Sequence, residues 1–174
     1  MRKIFHDQLK RLWAVNQNLN GSPTNVYIIA EESPDAPPTQ IEEIAAANAR
    51  CGWNFVPLVT EGLHLLCSLD ILFLRPSGPG KVIWAGDIDN RLKTLFDALK
   101  IPDAQDRYVD LAPEDGERPF FCLLEDDKLI TRVAVETDQM LEPVGAKFNA
   151  GDVRLVINVE LRPYFVNIGN SHFA

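Results

Sequence analysis

The chain has 174 residues, 46 % of them apolar, which is enough for one compact domain with its own core and no need of a disulfide scaffold. Its three cysteines, Cys51, Cys67 and Cys122, are odd in number, far apart and outside any Cys-x-x-Cys or Cys/His pattern, so they read as buried thiols of a reducing compartment. The formal net charge of −8 argues against a surface built throughout for phosphate, yet residues 101 to 127 alone carry two basic and nine acidic side chains, and the remainder is near neutral.

From the amino terminus, Met1 to Asp7 lacks the apolar run of a signal peptide. The longest apolar stretch, Leu63 to Leu74, is short and carries Asp70, so the expectation is a cytoplasmic protein with no membrane span. Phe5, Leu9, Leu12 and Trp13 recur at helical spacing and predict a first helix that ends before the Asn- and Gly-rich stretch from Asn16 to Thr24. A strand is predicted over Val26 to Ala30. Thr39 and Glu42 make a capping box for a second helix running to about Arg50 and closed by Gly52, with Ile41, Ile44 and Ala45 inward.

From Leu63 to Phe73 every odd position is apolar, which predicts a long strand running to Arg75 with one face buried. Pro76 to Gly80 reads as a turn and Lys81 to Trp84 as a short returning strand. Leu92, Leu95, Phe96 and Leu99 follow i, i+3, i+4, i+7 and predict a helix after Asp89. Residues 101 to 118 read as an acidic loop, Pro119 to Leu124 as a strand or the buried end of that loop, and Leu129 to Val135 as a strand. Val153, Leu155, Ile157, Val159 and Leu161 alternate with polar residues and predict a last strand. Strands outnumber helices without regular interleaving, which points to one α+β domain over residues 1–174, a mixed sheet of about four to five strands packed with two to three helices.

The chemistry sits in two acidic clusters. Asp87, Asp89 and Asn90 stand at the head of the helix, with Lys93 one turn in, and Glu125, Asp126 and Asp127 precede a later strand. Carboxylates from two segments with a lysine beside them are what a protein needs to hold Mg²⁺ against a phosphodiester. On a helical wheel Asp89, Lys93 and Asp97 form a stripe at the edge of the apolar arc, half covered by the core. Each residue also has a plainer reading: an N-cap for Asp87 or Asp89, an i, i+4 ion pair for Lys93, a solvated turn for residues 125 to 127. Adjacent strand residues face opposite ways, so one of Asp126 and Asp127 is the candidate ligand and the other structural.

Rival sites fail on their residues. A Ca²⁺ loop from Asp87 would need glycine and glutamate where Leu92 and Ala98 stand, and Gly78-Pro79-Gly80-Lys81 is followed by Val82 and no helix. His6, His64 and His172 are scattered and read as surface or packing residues.

The string Gly86-Asp87-Ile88-Asp89-Asn90-Arg91-Leu92-Lys93, continuing into Phe96-Asp97-Ala98-Leu99 and later Leu124-Glu125-Asp126-Asp127, resembles the RusA-type Holliday-junction resolvases. The likeness covers roughly residues 82 to 135. Residues 1 to 60 stand as an atypical N-terminal extension, and residues 101 to 118 as an acidic insertion between the motif halves. The resemblance implies a RusA-like fold, with Asp87, Asp89 and Asp127 as Mg²⁺- or Mn²⁺-binding catalytic carboxylates, Asp126 as the alternative ligand and Lys93 as the catalytic lysine. Asn90 and Asp97 would support the site. It implies a homodimer that cuts four-way DNA junctions, two-fold protein matching two-fold substrate, with Arg75, Lys81, Arg91 and Lys100 as the available DNA contacts. The other expectation is a non-catalytic relative whose acidic segment docks a protein partner or covers the site.

Overall fold

A computed structural model describes residues 1–16, 19, 38–76, 88–141, 152–167 and 170–173. Among these, helices α1 (Arg2–Val15), α2 (Gln40–Ala47) and α3 (Ile88–Leu99) accompany strands β1 (Ala49–Arg50), β2 (Trp53–Val59), β3 (Leu65–Arg75), β4 (Phe120–Leu124), β5 (Ile130–Gln139) and β6 (Arg154–Pro163). The class is α+β, as the order of elements predicts. The strands divide into two three-stranded sheets, ordered β1-β2-β4 and β5-β3-β6, each mixing a parallel with an antiparallel pair. No helix among the described residues is long and apolar enough to cross a membrane.

β3 follows its sequence pattern closely. Leu65, Cys67, Leu69, Ile71 and Phe73 are all buried in the main core while the even positions are half-buried. Burying each of the larger chains contributes about 1.5–3 kcal/mol, so this strand anchors the main core. β6 alternates as predicted and pairs along the whole of β3, from Leu65 opposite Pro163 to Leu74 opposite Arg154.

β2 has no counterpart among the predicted elements. It is a parallel strand buried on both faces, Trp53, Phe55, Val56, Leu58 and Val59 all being inaccessible, so it shows no alternation. Its Pro57 is tolerated because β1 covers only Trp53 and Asn54, leaving that edge of β2 without a described strand where proline lacks its N–H. The predicted capping box on α2 is formed, with Thr39 and Glu42 bonding reciprocally. The helix ends at Ala47, however, and Gly52 serves a different purpose. Cys51 and Gly52, both at positive φ, make the two-residue turn that lets Arg50 pair with Trp53. The strands predicted over Val26 to Ala30 and Lys81 to Trp84, and the turn over residues 77 to 80, lie outside the described residues.

The N-terminal residues are built into the domain. α1 lies on β4: Trp13 is fully buried with its ring 6.1 Å from that of Phe121, and the His6 ring stacks on Phe120 at 4.4 Å. His6 is a packing residue with a fixed tautomer. Its Nδ1 accepts the Phe121 amide at 2.9 Å, so the proton belongs on Nε2, which faces the Gly116 carbonyl at 3.3 Å.

Burial pushes the His6 pKa below its ordinary value, and the Gly116 carbonyl opposes that shift without cancelling it. A depressed histidine pKa means that the unfolded chain takes up the proton first. The His6 contribution is therefore fully present above the unfolded value, about 6.5, and is lost as the pH falls through the folded value. An NMR titration of the ring should give a midpoint below about 6.5, and the wild-type melting temperature should fall on that acid limb more steeply than that of His6→Phe. A midpoint at or above the ordinary value would contradict this.

Candidate metal-binding cleft

The two acidic clusters meet because the end of α3 is stitched to the end of β4. Lys100 bridges to Leu124 in parallel register, the Ile101 amide donates to the Leu124 carbonyl at 3.0 Å, and the Glu125 amide donates to the Val59 carbonyl at 2.9 Å. The chain leaving α3 and the chain leaving β4 thus run side by side. Asp89, Lys93, Asp97 and Lys100 from the first, with Asp103 and Asp127, line one open cleft of about 600 Å³. Leu92 and Phe96 give it an apolar side. Four carboxylates against two ammonium groups leave this cleft net negative.

Asp89 lies in the first turn of α3, where the helix dipole favours a negative charge. Asp89 and Lys93 are exposed and Asp97 is half-buried, so only the last member of the predicted stripe is covered. The ion pairs of the cleft among the described residues are made by Lys100. Its Nζ lies 3.3 Å from Asp127 Oδ2, 3.6 Å from Asp103 Oδ2 and 3.7 Å from Asp97 Oδ1. Burial alone would lower the Lys100 pKa, but the Asp127 hydrogen bond and the charges of Asp127, Asp103 and Asp97 outweigh it and raise the value.

Asp126 and Asp127 separate cleanly, for a reason other than strand alternation. They begin a single 3₁₀ turn, Asp127–Leu129, rather than a strand. Asp126 caps that turn, its Oδ1 accepting the Lys128 amide at 3.0 Å, while Asp127 turns its carboxylate to Lys100. Asp126 is thus the structural member of the pair.

The other predicted residues scatter. Asn90 and Arg91 line a separate hollow on the far side of α3 with Phe73 and Thr94, so Asn90 does not support the acidic cleft. Arg75 ends β3, eight residues beyond the Cys67 that pairs with Ile130, and therefore roughly 26 Å from the Asp127 end of that strand pair. Lys100 is committed to carboxylates rather than offered to DNA. Asp87 and Lys81 lie outside the described residues.

Asp103 and the counter-ion role of Lys100 were not evident from the sequence. Asp103 belongs to the acidic segment, which is neither free nor draped over the cleft. Arg2 holds Asp106 at 2.7 Å, Lys3 holds Glu114 at 2.8 Å and Glu117 at 3.0 Å, and Lys10 donates to the Gly116 carbonyl at 2.7 Å. Tyr108 and Val109 complete a second core with Trp53, Phe55 and Phe120. Only the start of the segment reaches the cleft. No signal in the spacing marks Asp103, because its place depends on the tertiary contacts of Arg2.

The cleft suits a hard cation in the kind of donor it offers, since its ligating groups are all carboxylate oxygens. No three potential ligands among the described residues stand close enough together to form a ready-made coordination shell. A separate groove of about 500 Å³ between α1 and β6, lined by Ile4, Phe5, Leu9, Leu123, Leu155 and Ile157 among others, has no carboxylate in its wall. The chain matches no protein-family model, no characterised protein and no solved structure.

Asp126→Ala should lower stability by about 1 kcal/mol through loss of the cap, a fall of a few degrees in melting temperature. Asp127→Ala, which removes a half-exposed partner of Lys100, should cost less. Calorimetry of both variants checks the order, and a larger loss in Asp127→Ala would contradict the assignment.

Proposed function

We propose that this protein is a Mg²⁺- or Mn²⁺-dependent endonuclease that hydrolyses phosphodiesters of branched DNA in the cytoplasm, the activity implied by its likeness to RusA-type resolvases. The observation that carries the proposal is convergence: the Asp89–Lys93–Asp97 face of α3 and Asp127, from a distant stretch of chain, line one cleft open to solvent.

Asp89 and Asp127 would hold the metal, with Asp87 completing the set and Asp97 and Asp103 adding negative charge beside them. When bound there, the metal supplies Lewis acidity towards a phosphodiester oxygen and a water of lowered pKa. The protein's own groups do the rest. The net negative cleft concentrates cations and repels an unaccompanied phosphate backbone, so DNA binding would depend on metal. Lys93, exposed at the cleft and without an ion pair among the described residues, is free to meet charge that develops on the phosphate. A homodimer would present two such clefts to the two-fold arms of a four-way junction.

A synthetic four-way junction should be cut in the presence of Mg²⁺ or Mn²⁺ and not in EDTA. Asp89→Asn, Asp127→Asn and Lys93→Met should each slow cutting on the order of 10²-fold or more, while Asp126→Asn retains it. Wild-type protein that cuts no junction, flap or single-stranded DNA with either metal would contradict the proposal.

A further inference from the structure

β6 is an edge of its sheet. It lies outside β3 in the order β5-β3-β6, and no described strand covers its other side. A ten-residue edge strand presents a row of backbone amides and carbonyls, which proteins usually blunt with a bulge, an internal proline or an inward-pointing charge. β6 has none of these: its pairing with β3 is continuous, its proline is the last residue, and Leu155, Ile157, Val159 and Leu161 all pack on the core side. Those four are nevertheless only half-buried, whereas the core side of β3 is sealed. The other edge, β5, differs, because its register shifts between Cys67 and Ser68 and its Arg132 is already held by Asp70 at 2.7 Å.

The outward residues of β6 carry a charge pattern that is complementary to itself. Arg154, Val156, Asn158, Glu160 and Arg162 are exposed on the face away from the core, and none of Arg154, Glu160 and Arg162 is in an ion pair among the described residues. Antiparallel pairing of two identical strands about a two-fold axis sets one residue opposite itself and fixes every other pair. With Ile157 opposite itself, Arg154 faces Glu160 of a second copy, and Asp152, just before the strand, faces Arg162. Val156 falls opposite Asn158. On the core side Leu155 meets Val159 and Val153 meets Leu161, apolar against apolar. Moving the axis by one residue loses this match: centred on Val156 it sets Asp152 against Glu160, and centred on Asn158 it sets Arg154 against Arg162. Directly opposed like charges destabilise a sheet, and opposed unlike charges stabilise it.

We infer that β6 is a dimer interface: two copies of this chain join edge to edge through antiparallel β6 strands centred on Ile157, giving one continuous sheet ordered β5-β3-β6-β6-β3-β5. About ten new backbone hydrogen bonds form along the seam. The Arg154–Glu160 and Asp152–Arg162 pairs each form twice, on one face of it. On the other face lie the core-side residues that β6 leaves half-covered, beside the groove lined by Ile4 and Phe5 of α1. The inference is drawn from β6 alone and rests neither on the nuclease reading nor on metal.

Sedimentation velocity of the full chain, without metal or DNA, tests this. The wild type should be a dimer at micromolar concentration. Arg154→Glu and Glu160→Arg each set like charges against each other twice in the dimer, so each should raise its dissociation constant about tenfold, or about 1.4 kcal/mol. The double variant Arg154→Glu/Glu160→Arg restores opposite charges in the same register and should recover most of that loss. Wild-type protein gives a second measurement that does not depend on any variant. Hydrogen exchange over residues 153 to 163 should slow severalfold from dilute to concentrated protein, while exchange in β2 stays unchanged. A monomeric wild type, single variants that dimerise as the wild type does, or a double variant that dimerises no better than the singles overturns the inference. So does a dimer whose β6 exchange is independent of concentration, because its contact lies elsewhere.

Discussion

The hydrogen bond from the Ile101 amide to the Leu124 carbonyl, with the neighbouring bridge between Lys100 and Leu124, ties the exit of a helix to the exit of a buried parallel strand. Everything in the cleft depends on that tie. β4 is held in place by β2, which is buried on both faces, and by α1 lying across it, so the end of β4 is among the most constrained points in the chain. Anchoring α3 there carries the Asp89–Lys93–Asp97 face past the turn that presents Asp127. A functional constellation built on rigid elements in this way is held more precisely than one assembled from loops alone.

The same tie explains the electrostatics. Four carboxylates around one cleft would spread apart in the absence of compensation. The compensation comes from within the fold, and it propagates outward: Lys100 offsets part of the negative charge of the cleft, Arg2 orients Lys100 and Asp106, and Lys3 engages Glu114 and Glu117. The acidic excess of residues 101 to 127 is thus divided between two tasks, one part packed against α1 and one part facing the cleft. The segment expected as an acidic insertion begins at the cleft with Asp103, and its Tyr108 and Val109 close a second aromatic core.

How much of this is legible in the sequence follows from what each residue depends on. β3 and β6 show themselves because their two faces differ, buried against half-buried in β3 and half-buried against exposed in β6, which imposes a period of two on the side chains. α3 and the capping box of α2 are equally local and equally plain. β2 is not, since burial on both faces erases alternation and Pro57 argues against a strand until one sees that its edge there is unpaired among the described residues. The acidic segment hides Tyr108 and Val109 among charges, so its core contacts are invisible without the aromatic partners on β2 and β4. In the site, Asp89, Lys93, Asp97 and Asp127 are marked by type and spacing. Asp103 and Lys100 acquire their places only through tertiary contacts, and Asn90 falls on the wrong side of its helix because the wheel fixes its angle but not its neighbour.

The central claim is that one divalent cation is held where the two aspartate clusters meet. Anomalous diffraction from a crystal grown with MnCl₂ tests it most directly. The account predicts a manganese peak in the cleft within coordination distance of both Asp89 and Asp127. A well-occupied manganese site elsewhere on the molecule, or no manganese in the cleft at saturating Mn²⁺, would contradict it.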